Sequence, residues 1–220
     1  MNPSSETIGR NKGNPPRVVI LGGGYGGVYT ALQLRKAARR GQIHLSLISE
    51  DNYFLAQPML AEVVSGSIEP PHIVNPIRRM LPHLRFHQAR IQDVEVENRT
   101  VVVNHLGGSS HYDRIPFDHL VIAVGSRTDL SSLPGMAEHA FPFKTLGDAF
   151  FLRNHLIRLL EEAQVESNPK EKQDQLTFVI AGGGYTGVEV ASEINSFTRE
   201  AAESYSNIEP SDIKVILLHR

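Results

Sequence analysis

The six residues Gly22-Gly23-Gly24-Tyr25-Gly26-Gly27 stand between a β-prone run, Val18-Val19-Ile20-Leu21, and a helical pattern with Val28, Ala31 and Leu32 on one face. Strand, G-x-G-x-x-G, then helix is the order that holds the pyrophosphate of a dinucleotide. In that reading Gly22 allows the tight turn, Gly24 lets backbone approach phosphate, and Gly27 lets the helix pack close to the sheet. The helix N-terminus adds free N–H donors and the positive end of a dipole. One such match is weak evidence.

The pattern returns. Phe178-Val179-Ile180-Ala181 leads into Gly182-Gly183-Gly184-Tyr185-Thr186-Gly187-Val188, which differs from Gly22 to Val28 only in Thr186 for Gly26. A second helical pattern follows, with Val188, Ala191 and Ile194 on one face, and then a strand, Ile213 to Leu218. Two occurrences in the same strand–helix setting predict two dinucleotide sites in an α/β fold of tandem Rossmann-like domains. Two such sites in one protein suggest electron transfer between a nicotinamide and a flavin.

Composition bounds the rest. The 220 residues carry a formal net charge of -2 and are 40% hydrophobic, enough for a substantial core and without the basic excess that nucleic-acid binding needs. With no cysteine, these residues hold no disulfide framework, Cys-ligated metal or redox dithiol. Met1 to Pro16 is polar, lacks the apolar core of a secretory signal, and reads as a disordered lead. No apolar run reaches membrane-spanning length.

Between the two glycine stretches, Ile43 to Ile48 reads as the second strand. An acid is expected at its end to meet the adenosine ribose, and the candidates are Ser49, Glu50 and Asp51, with Glu50 preferred and Ser49 a partner. Prolines 58, 70, 71 and 76 break Asp51 to Pro76 into irregular chain, followed by a short helix, Ile77 to Leu81. Leu84 to His87 reads as a third parallel strand, and Gln88 to Asn104 as a hairpin turning at Glu97-Asn98-Arg99. Phe117 to Val124 reads as a strand buried on both faces, ending at Gly125-Ser126. Gly135 to Pro142 is a connector. Thr145 and Asp148 have capping-box spacing ahead of a helix to Ala163, with Phe151, Leu152, Leu156 and Leu159 inward. Val165 to Gln175 reads as a solvated loop.

These residues resemble the two-dinucleotide-binding flavoproteins, and specifically the type II NADH dehydrogenases, single-chain NADH:quinone oxidoreductases. The more specific parts are Asp51-Asn52-Tyr53-Phe54-Leu55-Ala56-Gln57-Pro58-Met59-Leu60, Asn75-Pro76-Ile77-Arg78, Leu120 to Gly125, Phe143 to Ala149, and Gly182 to Glu189. The resemblance implies FAD at Gly22, Gly24, Tyr25, Gly26 and Gly27, with Ala123 and Gly125 at the flavin domain's boundary. It implies NADH at Gly182, Gly184, Tyr185, Thr186 and Gly187. Gln57, Pro58 and Lys144 would lie beside the isoalloxazine, and the backbone of Arg90 and Ile91 would meet the adenine. Glu189 fills a Gly-x-x-Gly-x-Glu position at the nicotinamide–flavin contact, so Glu189 and Lys144 are the catalytic candidates. The domains expected are a lead over 1–16, a FAD-binding domain over 17–142, and the first half of an NAD(P)H-binding domain over 143–220.

The implied partners are a quinone acceptor and the inner face of the cell membrane, reached through C-terminal sequence absent from these residues. A homodimer is an open option, and nucleic acid is not a partner. The chain departs from the family at Ser49, where an acid is usual, and at His219-Arg220, where a basic pair keeps NADPH as an alternative to NADH. It also stops at the second domain's second strand, before the returning Gly-Asp segment and the amphipathic tail, so a truncated form is expected. Two other readings stay open: a flavoprotein reductase with a protein or other small acceptor, and a non-catalytic nucleotide-binding module. His83 and His87 are four apart but lie in extended chain without a third ligand, so no metal is expected.

Overall fold

The computed structural model describes residues 14–106, 111–131 and 134–219. The expected disordered lead falls outside them up to residue 13. Contacts divide the chain into two compact units: one runs to Phe54 and resumes over Pro76–Gly125, and the other comprises Leu55–Asn75 and the chain from Ser126 on.

In the first unit, β1 (Arg17–Leu21), α1 (Tyr25–Arg39) and β2 (His44–Ser49) form the expected βαβ unit. Two short strands, β3 (Tyr53–Leu55) and β4 (Val74–Pro76), pair with each other where the chain leaves and re-enters this unit. A single turn of helix, α3 (Ile77–Met80), precedes β5 (Arg85–Glu95), and β6 (Thr100–His105), β7 (His111–Pro116) and β8 (His119–Ile122) complete the sheet. The order is β7-β6-β5-β2-β1-β8. Strand alternation splits the core into two faces. Val18, Ile20, Leu45, Leu47 and Phe86 meet Val28 and Ala31 of α1 on one side. Val19, Leu21, Ile48 and Ala89 meet Val101, Val103, Ile115 and Phe117 on the other.

Three expectations are corrected here. The third strand and the hairpin's first arm are one strand: β5 runs parallel to β2 over Arg85 to Gln88 and antiparallel to β6 from Ala89, with a register break between Ile91 and Asp93. Strand β7 was not anticipated, because Tyr112 and Arg114 obscure its alternation and Ile115 is its buried side chain. Among the described residues strand β8 pairs only with β1, at the sheet edge, and none of its side chains is buried; Ile122 is 68% exposed.

The second unit holds α2 (Leu60–Ser65), α4 (Met136–His139), α5 (Leu146–Val165), α6 (Pro169–Gln175), β9 (Thr177–Ala181), α7 (Tyr185–Ala202) and β10 (Lys214–Leu218). β9 and β10 are parallel, Thr177 opposite Lys214 through Ala181 opposite Leu218. The apolar side chains of α2, Leu60, Ala61, Val63 and Val64, join a core with Leu156, Leu160, Leu176, Ile194 and Ile213. That burial groups Leu55–Asn75 with the second unit, apart from the sequence-based boundary at 142.

The expected capping box forms: Thr145 Oγ1 accepts from the Asp148 N–H at 3.2 Å, and Asp148 Oδ2 accepts from the Thr145 N–H at 2.7 Å. The face α5 buries is Ala149, Leu156, Leu160 and Ala163; Phe151 lies outside it, against Phe141. The expected solvated loop holds α6, started by an Asn168 cap and Pro169 at the first helical position. On α7 the buried stripe is Val190, Ile194, Thr198 and Ala202, not the stripe through Val188. Val28 is buried because its sheet is wide, whereas β9 has one paired neighbour among the described residues and Val188 is 51% exposed.

Candidate functional site

At the end of β1, Gly22 takes φ +106°, a left-handed conformation, and donates its N–H to Ile48 O at 2.8 Å. A methyl on Gly22 would lie 2.1 Å from Ala123 O, and one on Gly27 would lie 1.8 Å from Gly22 O. Both positions are closed to any side chain. Gly24 is different: a methyl there meets nothing within 4 Å, so the loop is open on the side where Gly24 sits. Gly24 caps α1 without a side-chain bond, and the first helical bond runs from Val28 N–H to Gly24 O. The N–H groups of Tyr25, Gly26 and Gly27 therefore have no acceptor within the helix, which makes a cradle suited to an anion.

The second unit builds the same cradle. Gly182 takes φ +117° and donates to Leu218 O at 2.9 Å, a methyl on Gly187 would meet Gly182 O at 1.8 Å, and Gly184 is open. Val188 N–H closes on Gly184 O at 3.0 Å, leaving Tyr185, Thr186 and Gly187 as unpaired helix-end donors. Two contrasts separate the loops. A methyl on Gly182 would meet nothing within 4 Å, whereas Gly22 is sealed by Ala123 O. Tyr25 packs edge-on to Phe54, 4.9 Å between centroids, and stacks on Tyr29, whereas Tyr185 is 93% exposed.

The two bonds, Gly22 to Ile48 and Gly182 to Leu218, align the strand ends, so Ser49 and His219 hold equivalent places. A methyl on Gly23 would lie 2.6 Å from Ser49 Oγ, and one on Gly183 would lie 2.8 Å from His219 Cβ. Sequence reading missed Gly23 and Gly183, although a third adjacent glycine in both copies was the available signal. Glu50 lies one residue beyond the equivalent place. It pairs with Arg90, 3.1 Å between Oε2 and Nη2, and its carbonyl accepts from Gln88 Nε2. Desolvation first, then the Glu50 charge, push the Asp51 carboxyl above its usual range.

Ala123 joins the first cradle: its N–H donates to Leu21 O at 2.8 Å and its carbonyl seals Gly22. Gly125, at φ +70°, leaves the space beside it open. Ile91 turns toward the core while Arg90 faces solvent. Gln57 and Pro58 form a single 3-10 turn ahead of α2, in the second unit. Lys144 is in that unit too, its N–H bonded to Asp148 Oδ2 and its Nζ 3.5 Å from Ser126 Oγ. Glu189, fifth in α7, is exposed, and its carboxylate has no hydrogen bond or ion pair among the described residues. Arg220 lies outside the described residues. Among those residues no cluster of His, Asp and Glu is arranged to hold a metal ion.

The sequence profile of the pyridine nucleotide-disulphide oxidoreductase family matches residues 16–220. The chain is 34% identical over 183 residues to the demethylphylloquinone reductase NdbB of Synechocystis sp., covering 81% of this chain and 43% of that protein. It is 32% identical over 210 residues to the type II NADH:quinone oxidoreductase NdhA of Mycobacterium tuberculosis, covering 94% of this chain and 43% of the relative. Among solved structures it is similar to NDH2 of Plasmodium falciparum in complex with NADH, with a TM-score of 0.82 at 26% identity, covering 93% of this chain and 42% of that one. The chain thus spans less than half the length of these relatives. A doubled cradle at matching strand ends, together with the profile match across nearly all the described residues, makes this chain a member of the pyridine nucleotide-disulphide oxidoreductase family.

Proposed function

We propose that the whole protein is a FAD-dependent NADH:quinone oxidoreductase and that these 220 residues carry its two nucleotide cradles. The observation that carries this reading is the duplicate geometry at Gly22–Gly27 and Gly182–Gly187: in each, the glycine that caps the helix, Gly24 or Gly184, is open, and three helix-end N–H groups are unpaired. Tyr25, Gly26 and Gly27 would hold the pyrophosphate of FAD, and Tyr185, Thr186 and Gly187 that of NADH. When bound, the flavin supplies the redox chemistry, taking up hydride from NADH and passing electrons to a quinone. The relatives' names, quinone reductases in both cases, favour that acceptor. The protein's part is placement. Glu189 is free to orient the nicotinamide or hold a proton at its carboxylate, and Lys144 and the Gln57-Pro58 turn serve the isoalloxazine. Residues 17–142 would carry the FAD cradle and 143–220 the NADH cradle, and the membrane surface is where the acceptor would be met.

A second reading concerns the donor. His219 stands where Ser49 stands in the first cradle, at the ribose end, without the acid that favours NADH. NADPH is therefore the alternative donor, and His219→Glu should shift preference toward NADH.

The test is NADH oxidation by the whole protein with menadione or a ubiquinone as acceptor. Quinone-dependent oxidation by a yellow, FAD-containing protein supports the proposal. Turnover only with a protein acceptor, or a colourless protein that leaves NADH unoxidised, overturns it.

A further inference from the structure

The first unit has a second concavity, at the end of the sheet opposite its glycine loop: a cavity of about 620 Å³, within the size range of small-molecule sites. Its floor follows from strand register. Arg17 is paired with His44, Val19 with Ser46, Ser46 with Arg85, and Ile48 with His87, and side chains in register share a face. Nearer the glycine loop this face is apolar, with Val19, Leu21, Ile48 and Ala89 in the core. At the cavity it carries Arg17, His44, Ser46 and Arg85 instead. A parallel sheet covered on both faces is ordinarily apolar throughout.

The charges here are unequally spoken for. Arg17 is held by Asp118, with Nη2 3.0 Å from Oδ1 and Nε 3.0 Å from Oδ2. Arg114, from β7 on the cavity wall, is paired with Glu95, and the wall's Asp113 lies 3.6 Å from His105 Nε2. The Arg85 guanidinium has no hydrogen bond or ion pair among the described residues, and neither the Ser46 hydroxyl nor the His44 imidazole has a side-chain bond there. His87, also lining the cavity, is buried with its Nε2 unpartnered.

We propose that this cavity is a second anion site, which binds a phosphate group, free or as the monoester of a small molecule, through Arg85, Ser46 and His44. Ser46 and Arg85 are in-register neighbours on strands about 4.8 Å apart, and His44 lies one pleat repeat away. Three separate donors match the three acceptor oxygens of a phosphate better than the two of a carboxylate. The volume leaves room for an organic body. This site is independent of the nucleotide cradles and of the redox reading, so each can fail without the other.

The test is NMR of the histidine imidazoles and backbone amides in the 220-residue chain, titrated with inorganic phosphate and with phenyl phosphate. Saturable shifts of His44 and His87 with the Gly22–Gly27 amides unmoved support the site. Tighter binding of phenyl phosphate assigns it to a monoester, and equal affinity assigns it to free phosphate. Arg85→Gln should weaken binding about tenfold or more, and Ser46→Ala about threefold, while Lys214→Gln, a matched loss of charge in the other unit, should leave it unchanged. A lack of saturable shifts overturns the proposal, as do shifts confined to the glycine loop or equal affinities of Arg85→Gln and wild type.

Discussion

At the scale of single residues, the glycines of one short loop do two different jobs. Gly22 and Gly27 are closed to a side chain by backbone atoms at 2.1 and 1.8 Å, so alanine at either should cost about 1–3 kcal/mol, with left-handed strain added at Gly22. Gly24 has an ordinary extended φ of -83° and open space, so Gly24→Ala should cost under about 1 kcal/mol. It should nevertheless weaken FAD binding about tenfold or more, because the new methyl occupies the approach to the N–H groups. Urea midpoints set beside flavin retention distinguish the two classes. This part of the site was legible in sequence because the geometry is local. The place of Ser49 against Gly23 was not, since two strands must first be put in register.

His87 gives a pH prediction at the same scale. Burial first, then the charges of Arg85 and His105, push its pKa down; Asp113 opposes them and Arg78 adds to them. The folded chain therefore binds fewer protons than the unfolded one as pH falls below about 6.5. Stability contributed here is intact above that pH and declines as pH drops toward the folded pKa. His87→Leu should flatten the decline in the urea midpoint, leaving a smaller slope from His155, whose pKa burial and Arg158 also lower.

At the scale of elements, Arg153 shows how a surface-type residue can join three helices. Its Nη1 donates to Val64 O at 2.7 Å in the last turn of α2, and its guanidinium lies 4.9 Å over the Phe197 ring of α7. Arg153→Met keeps the aliphatic stem but loses both contacts, and should cost about 1–3 kcal/mol. Thr145→Ala removes the α5 cap, a loss of about 1 kcal/mol. Chemical denaturation of both variants checks these values, and the arginine variant should be the less stable. The cap could be read from sequence because Thr145 and Asp148 are three apart; Arg153 could not, as its partners are 89 and 44 positions away. Likewise, the change of partner along β5 depends on where β2 stops and β6 begins, which no local pattern records. The α6 helix was read as a loop because its charged surface gave no apolar periodicity, although Asn168-Pro169 carried a start signal.

At the scale of the whole molecule, repetition was what the sequence displayed most plainly, and it sets the last prediction. Each unit has its own core and its own cradle, so each nucleotide should be lost separately: Gly24→Ala should weaken FAD and Gly184→Ala should weaken NADH, each about tenfold or more. Separate loss alone would describe two unrelated binding modules. A device that moves electrons between two cofactors must also bring them into mutual contact, and contact makes binding interdependent. By linkage, FAD must then change NADH affinity by the same factor that NADH changes FAD affinity. Titration calorimetry of the whole protein with a non-reducing NAD analogue, with and without FAD, measures both factors. Equal factors clearly different from one are the expected result, with each alanine variant lowering the affinity of its own nucleotide. Factors of one in both directions would leave two sites that bind nucleotide but do not work together.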